Sequence, residues 1–339
     1  DAKAMEDELL ALLNTPVTVA SQKAMTTREA PGIVSLITRE EILSSGARDL
    51  IDLLRMIPGF EFASDVQGVV GPVVRGNWAF EGKLLLLVDG QELNETRYGT
   101  THFGNRIPLE QIRQIEIIRG PGSAIYGGFA ELAVVNIKTR TGSDLNGWAG
   151  GINYGKTSES YTQRTAHVAY GQSSDTWNVS ILASHGDGQR SELPWNSYGN
   201  IRDLKDHSAL RQGFYNINFE YKGLYLKALK DDYEIDDFTF YRNPSHPSKM
   251  RLAGTYWEAK YDWIITDAFR LTPKVSWKKQ EPWYYPDQLP TGKKRRKRNC
   301  WASKAPGMLP AISMSSLEPT PGRTRVWHQA SSIGAMENR

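Results

Sequence analysis

The chain has 339 residues, of which 40% are hydrophobic and 23% charged, so it is long enough for about two domains with buried cores. It has no run of about 18 or more apolar residues, which excludes a membrane-spanning helix, whereas a β-barrel is compatible with the mean hydropathy of -0.49. The single cysteine, Cys300, excludes an internal disulfide framework and a cysteine-rich metal site.

The positive charge is concentrated in the last part of the chain. Residues 293–339 carry ten Lys or Arg and two Glu, a net charge of +8, which leaves −5 for residues 1–292 out of the total of +3. This tail begins with KKRRKR and lacks both strand and helix periodicity. A basic patch for nucleic acid or anionic lipid is one interpretation. We favour an aberrant tail, out of frame or disordered, and expect no nucleic-acid partner.

Two short helices are predicted near the start of the chain. Thr38 and Glu41 form a capping-box pattern that begins the first helix, and Gly46 is placed to end it. Pro58 and Gly59 stop the second helix. That helix has one apolar face at helical spacing, formed by Leu50, Leu53, Leu54 and Ile57.

Short β-rich segments follow the helices. An Asp-Gly pair at residues 89–90 supplies a tight turn directly after the segment at residues 84–88. Four strands are predicted, at residues 73–75, 84–88, 115–119 and 134–139. The first 143 residues therefore predict a small α+β unit.

Five segments of this unit resemble, in order, the plug domain of TonB-dependent outer-membrane receptors. The resemblance covers about residues 30–141. It departs slightly at residues 129–132 (FAEL), where the family more often has small residues. The matching segments are residues 30–42 (APGIVSLITREEI), 52–62 (DLLRMIPGFEF), 74–76 (VRG), 84–94 (LLLLVDGQELN) and 115–139 (IEIIRGPGSAIYGGFAELAVVNIKT).

The glycine-rich turn at residues 120–122 has a competing interpretation as a dinucleotide site. That pattern needs glycine at its sixth position, which is Ile125 here, and the lysine of a phosphate-binding loop is missing. Ser123 lacks the flanking glycines of a nucleophile elbow. The sequence therefore predicts no enzyme, no resident cofactor and no metal site.

From residue 145 onward, apolar and polar residues alternate. Such alternation over about ten residues is typical of a lipid-facing barrel wall, and a soluble β-sandwich shares it. Seven strands are predicted near residues 147–155, 161–170, 176–184, 210–221, 224–233, 251–264 and 269–279. The longest connections follow the third and fifth strands, as expected if these strands run outward. The predicted fold class is an α+β plug domain followed by the first antiparallel strands of an incomplete transmembrane β-barrel.

The predicted organisation has four parts. They are an N-terminal leader (1–29), a plug domain (30–143), a partial barrel of about seven strands (144–292) and the basic tail (293–339). Asp1 is expected to follow a removed signal peptide or a lost start. Since the family's barrel has far more strands, we expect a truncated and non-functional copy of a receptor.

The resemblance implies transport rather than catalysis. Such receptors lie in the outer membrane of Gram-negative bacteria, surrounded by lipid, with the plug facing the periplasm. They take up a scarce metal chelate, energised by TonB with ExbB and ExbD. The expected ligand is a ferric siderophore, with haem and cobalamin as alternatives. An outer-membrane adhesin or scaffold without transport is the competing function.

The resemblance also implies three groups of site residues. Arg75 and Arg119 match plug arginines that pair with glutamates on the barrel wall. A loop that would suit an anionic ferric chelate carries Arg97, Tyr98, His102 and Phe103. The candidate TonB box, an extended segment that would add a strand to TonB, consists of Thr15, Pro16, Val17, Thr18, Val19, Ala20 and Ser21.

Overall fold

The computed structural model describes most of the chain before residue 285. The described residues are 16–17, 25–26, 33–64, 70–122, 126, 128–197, 200–205, 207–237, 248–266, 269–284 and 312–313. They form an α+β unit over residues 33–146, called the N-terminal unit, and a sheet of long strands called the wall.

Both predicted helices are present. Helix α1 (Arg39–Ser44) begins with the predicted capping box. The Thr38 hydroxyl accepts a hydrogen bond from the Glu41 amide at 3.2 Å, and the Thr38 amide donates one to the Glu41 carboxylate at 2.7 Å. Gly46, with φ +68°, follows its end. Helix α2 (Leu50–Arg55) begins at Asp49, a cap that was not predicted from the sequence. A third short helix, α3 (Gly142–Leu145), leads into the wall.

Strands β3 to β10 build two small sheets in the N-terminal unit. The larger sheet has the order β3-β9-β10-β7-β8, with β10 and β7 parallel, and the smaller has the order β4-β5-β6. A hairpin of β1 and β2 precedes them. The strands are β1 (Pro16–Val17), β2 (Met25–Thr26), β3 (Val34–Ile37), β4 (Phe60–Ser64), β5 (Val70–Val74), β6 (Asn77–Trp78), β7 (Leu84–Val88), β8 (Gln91–Glu92), β9 (Ile112–Arg119) and β10 (Ala133–Thr139).

The wall is an antiparallel sheet with the order β11-β12-β13-β16-β17-β18-β20, to which β19 and β21 add short pairings along β20. A separate hairpin, β14 and β15, lies in the connection after β13. The strands are β11 (Gly147–Lys156), β12 (Tyr161–Ser173), β13 (Trp177–Gln189), β14 (Pro194–Ser197), β15 (Asn200–Asp203), β16 (Ala209–Tyr221), β17 (Leu224–Asp237), β18 (Ser248–Tyr261), β19 (Trp263–Thr266), β20 (Phe269–Tyr284) and β21 (Ile312–Ser313).

The two faces of the wall differ in polarity. One face is exposed and carries apolar side chains such as Ile217, 47% exposed, and Trp257, 55% exposed, together with charged residues such as Asp232 elsewhere on the same face. The opposite face carries buried polar groups such as Ser180 and Asn216. Because successive side chains of a strand point to opposite faces, this arrangement follows directly from the alternating sequence. Within the described residues, no helix is long and apolar enough to span a membrane.

The N-terminal unit packs on the polar face of the wall. Its main core contains the buried face of α2 together with Leu84, Leu86 and Val88 of β7, and it extends to Phe214 and Leu229 of the wall. The unit and the wall are therefore joined by one continuous apolar core.

The predicted fold class is confirmed: an α+β unit precedes antiparallel strands that do not close into a barrel over the described residues. All seven predicted long strands occur, and most are longer than expected. The sixth, predicted over residues 251–264, ends at Tyr261, and residues 263–264 belong to the separate strand β19. Predicted strand 73–75 is partly wrong, because β5 ends at Val74 and Arg75 begins a tight turn with φ +50°. The β14–β15 hairpin was missed. The predicted leader and tail lie largely outside the described residues.

Candidate functional site

The contact between the N-terminal unit and the wall contains two buried ion pairs. The first lies at the turn after β7, where Asp89 (φ +48°) and Gly90 (φ +83°) reverse the chain. The Asp89 carboxylate accepts hydrogen bonds from the backbone amide and the hydroxyl of Thr139, each at 2.7 Å. It also lies 3.5 Å from the ammonium group of Lys227. Lys227 also donates to the backbone oxygens of Val88 and Asp89, at 2.8 and 3.0 Å.

These contacts keep Asp89 ionised. Burial alone raises the pKa of a carboxyl group, but the charge of Lys227 and the hydrogen bonds from Thr139 outweigh it, so the pKa of Asp89 is lowered. Asn216 of β16 donates to the same carboxylate at 3.1 Å and to the Thr139 hydroxyl at 3.0 Å. The end of β7 is thus bonded to two wall strands.

The second ion pair joins Arg106 to Asp231 of β17. Arg106 Nε lies 3.2 and 3.1 Å from the two carboxylate oxygens of Asp231, and Arg106 Nη2 makes a further contact with the carboxylate. The pKa of Arg106 is raised, because attraction to Asp231 outweighs the effect of burial. Both side chains are buried, 6% and 1% exposed, which makes this a desolvated pair.

Further wall side chains hold the loop that connects β8 to β9. Lys278 of β20 donates to the Glu92 carboxylate at 3.1 Å and to the backbone oxygen of Asn94 at 3.0 Å. The Tyr233 hydroxyl donates to the backbone oxygen of Phe103 at 3.2 Å. Contacts from β17 and β20 therefore hold this loop at two separate points.

The four predicted ligand contacts lie in this loop, but the structure separates them. Arg97 and Tyr98 are exposed, with the Arg97 guanidinium 4.9 Å from the Tyr98 ring centre. The Glu95 carboxylate accepts hydrogen bonds from the backbone amides of both residues, at 2.6 and 2.7 Å. These bonds hold the backbone at the tip of the loop. His102 and Phe103 are buried, 3% and 5% exposed. Contact of either with a ligand would require the loop to move.

His102 lies between aromatic rings. Its ring centre is 5.2 Å from that of Phe80 and 5.6 Å from that of Trp283 on β20. Burial lowers its pKa to about 3, with further repulsion from Arg106 and Arg190, so the ring is neutral near pH 7. Its Nε2 atom is buried without a hydrogen-bond partner among the described residues.

Arg75 and Arg119, the two arginines expected to pair with barrel glutamates, contact one another. Arg75 Nη2 donates to the backbone oxygen of Arg119 at 2.8 Å. Within the part of the chain that the structure describes, neither forms an ion pair with a carboxylate, and Arg119 Nε is buried without a hydrogen bond. The pairing with barrel glutamates stays a prediction.

Only part of the candidate TonB box is described. Pro16 and Val17 pair antiparallel with Thr26 and Met25 in a short hairpin. The other five residues of the box lie outside the described residues. The described part of the chain contains no group of three or more His, Cys, Asp or Glu that could hold a metal ion.

The two buried ion pairs were not predicted from the sequence. A signal was present in β17, where two charged residues, Lys227 and Asp231, share the inward face with Leu229. Charged residues on a mostly buried face require partners. Their partners, Asp89 and Arg106, are more than 120 residues away in sequence, and no local pattern identifies them.

Comparisons with known proteins agree with this architecture. The TonB-dependent Receptor Plug Domain family matches residues 26–133. The chain is 25% identical over 273 residues to a vitamin B12 transporter, BtuB, of Vibrio vulnificus, which covers 72% of this chain and 43% of the transporter. It is 32% identical over 146 residues to an iron-regulated outer membrane virulence protein of Vibrio cholerae, covering 41% of this chain and 21% of that protein.

Solved structures show the same fold. A ferric enterobactin receptor (PfeA) mutant of Pseudomonas aeruginosa matches with a TM-score of 0.54 and 18% identity, over 75% of this chain and 41% of the receptor. The siderophore receptor PirA of Acinetobacter baumannii matches with a TM-score of 0.53 and 18% identity, over 75% and 40%. The chain spans about a fifth to two fifths of the length of the two Vibrio proteins.

Proposed function

We propose that the chain is part of a TonB-dependent receptor, a transport receptor rather than an enzyme, and that this receptor serves uptake of a scarce ligand across the Gram-negative outer membrane. The observation that carries the proposal is the plug domain seated on the polar face of an antiparallel wall whose other face is apolar. The N-terminal unit is called the plug below.

The exposed face of the wall supports a membrane location. Ile217, Phe219, Trp257 and Trp277 form part of a continuous apolar surface across β16, β18 and β20. Contact of this apolar surface with water is unfavourable, whereas contact with the hydrocarbon chains of lipids is favourable. We infer that this face contacts outer-membrane lipid and that the plug faces the periplasm.

We propose a ferric siderophore as the ligand. Relatives are named for vitamin B12 transport, iron regulation and ferric enterobactin, all of which concern metal-containing compounds or iron. The exposed Arg97 and Tyr98 combine a cation with an aromatic ring, which suits an anionic chelate with aromatic groups. We retain His102 and Phe103 as proposed contacts that require movement of the loop.

We propose the boundaries 1–29, 30–143 and 144–292 for the leader, the plug and the wall, with 293–339 as the tail. Residues 15–21 are proposed to pair with TonB, which acts with ExbB and ExbD. An extended segment rich in β-branched residues can add a strand to a partner sheet. Arg75 and Arg119 are proposed to meet barrel glutamates.

Uptake by a chimaera tests the transport proposal. Residues 30–284 would replace the matching segment of the P. aeruginosa ferric enterobactin receptor, so that the remaining strands of that receptor can complete the barrel. We expect uptake of radiolabelled ferric enterobactin that requires TonB. A chimaera that reaches the outer membrane at the normal level but gives no uptake above a TonB-deficient strain contradicts the proposal.

Binding of a peptide tests the proposed TonB box separately. A peptide of residues 14–23 should bind the C-terminal domain of TonB weakly, and the Val19→Pro peptide should bind less, because proline removes a strand hydrogen bond. Calorimetric titration would compare the two peptides. No detectable binding of the unmodified peptide at millimolar concentration would contradict this assignment.

A further inference from the structure

The inward face of β17 contacts the plug along most of its length. Alternate residues from Lys227 to Ile235 are buried on this face. Lys227 bonds to the turn after β7, Leu229 lies in the shared core, Asp231 pairs with Arg106, and Tyr233 bonds to the loop before β9. A single strand therefore contacts the plug at successive levels.

The two ion pairs on this strand have opposed polarity. At Lys227 the wall is positive and the plug residue Asp89 is negative, whereas at Asp231 the wall is negative and the plug residue Arg106 is positive. The two wall residues are four positions apart on the same face, about 13 Å along the strand. Each charge is largely removed from water, so an unfavourable pairing cannot be relieved by hydration.

This arrangement discriminates against other positions of the plug. Side chains on the inward face of β17 recur every two residues, about 7 Å along the strand, so displaced positions of the plug can be compared in steps of two residues. A slip of two residues toward Asp231 would place Asp89 near Leu229 and leave it unpaired, and a slip of four would place Asp89 near Asp231, a like charge. Among these positions, the observed one pairs both plug charges with opposite charges.

We propose that Lys227 and Asp231 are positioning residues that determine the register in which the plug docks on the wall. Apolar contacts favour burial but specify position weakly, because many shifts bury similar area. Charges of opposite order specify one position and penalise the others. The proposal concerns assembly of the plug and the wall, and it stands whether or not the protein transports a siderophore.

Thiol labelling of the full chain in detergent micelles tests the proposal. In a Cys300→Ser background, Leu229→Cys places a thiol under the docked plug, and Lys230→Cys places one on the opposite face of the same strand as a control. The double change Lys227→Asp with Asp231→Lys preserves composition and net charge but puts each plug charge against a like charge. We expect maleimide labelling at position 229 to become about tenfold faster or more, with labelling at position 230 unchanged.

A charge swap separates positioning from general stability. Asp231→Arg alone faces Arg106 with a like charge and should give the same rapid labelling at position 229. Adding Arg106→Asp restores an opposite pair, and labelling should return to within about threefold of the unmodified rate. If Asp231→Arg also reduces the β-sheet circular dichroism, recovery of that signal in the swapped pair supports the proposal.

Two results would overturn it. One is labelling at position 229 at the unmodified rate after the order of Lys227 and Asp231 is reversed, which would show that charge order does not matter. The other is a swapped pair that labels as fast as Asp231→Arg alone, which would show that the site needs these particular side chains rather than their charges.

Discussion

The plug and the wall distribute apolar side chains in opposite ways. In the plug, all five residues of β7 are buried, and apolar side chains fill the interior. In the wall, Ile217 and Trp257 are exposed while Asn216 and Asp231 are buried. The difference shows that burial by itself does not sort residues by polarity in this chain. The polarity of the surroundings of each face does.

The buried polar face of the wall depends on the plug for partners. Asn216, Lys227 and Asp231 each bond to a plug residue, so burial of the two charges and of the Asn216 amide nitrogen is compensated. Asn216 Oδ1 is buried without a hydrogen-bond partner among the described residues. The exposed apolar face has no such requirement and instead matches a lipid phase. Separate changes to the two faces can therefore test this comparison.

The largest effect is expected for loss of the buried carboxylate on the inward face. Asp231→Asn leaves Arg106 buried beside a neutral group and should lower the free energy of unfolding by about 3–5 kcal/mol. The neighbouring Asp232 faces outward and pairs with the partly exposed Arg251, so Asp232→Asn should cost about 1 kcal/mol or less. Urea unfolding in detergent micelles measures both, and equal losses would contradict the distinction between the faces.

A smaller cavity effect should distinguish the plug core from the wall surface. Leu86 is fully buried in the plug, so Leu86→Ala should lower the free energy of unfolding by about 2–5 kcal/mol. Ile217 lies on the exposed face, so Ile217→Ala should lower the free energy of unfolding in detergent by about 0.5 kcal/mol or less. The same unfolding measurement applies. A loss at Ile217 as large as that at Leu86 would indicate that this face is packed against protein.

Adjacent residues of β20 can test the lipid-facing assignment. Val275 points outward and is 48% exposed, and Ser276 points to the opposite face. In lipid vesicles, Val275→Lys should destabilise the folded state by up to about 2–4 kcal/mol, because an ammonium group enters the hydrocarbon region. Ser276→Lys serves as the control and should change stability little. Equal effects of the two lysines would argue against lipid contact.

The smallest of these effects concerns the pH dependence of plug stability. His102 has a folded pKa of about 3, whereas an unfolded histidine titrates near 6.5, so the unfolded state binds the proton first as the pH falls. This residue therefore destabilises the folded state below pH 6.5, by about 2 kcal/mol at pH 5, and has no such effect above pH 6.5.

His102→Gln should remove this contribution. The difference between the urea midpoints of the variant and the unmodified chain should change between pH 6.5 and pH 5 and be constant above pH 7. A difference that does not vary with pH would show that His102 is accessible to water and protons in the folded state.

Local elements were predicted from sequence because their determinants are close together in the chain. The capping box of α1 uses Thr38 and Glu41, three positions apart, and the apolar face of α2 follows from helical spacing. Likewise, the long strands of the wall follow from alternation, which needs no distant partner. Each of these signals lies within about ten residues, and tertiary contacts did not override them.

The contacts of the candidate site were less predictable. The sequence placed His102 and Phe103 with Arg97 and Tyr98 in one loop, but it contained no signal that His102 would be buried beneath Trp283 and Phe103 against Phe62. The burial of His102 depends on where β20 passes, about 180 residues later. Short distances along the chain therefore identified the loop but not which of its side chains reach the surface.

The sequence by itself determined the plug pattern, the helix ends and the alternating strands, because each is encoded by neighbouring residues. Only the tertiary structure decided that Asp89 meets Lys227 and that Arg106 meets Asp231, since each pair joins segments more than 120 residues apart. The physical reason is that a buried charge requires a partner without specifying which one. The register of the plug on β17 makes that selection.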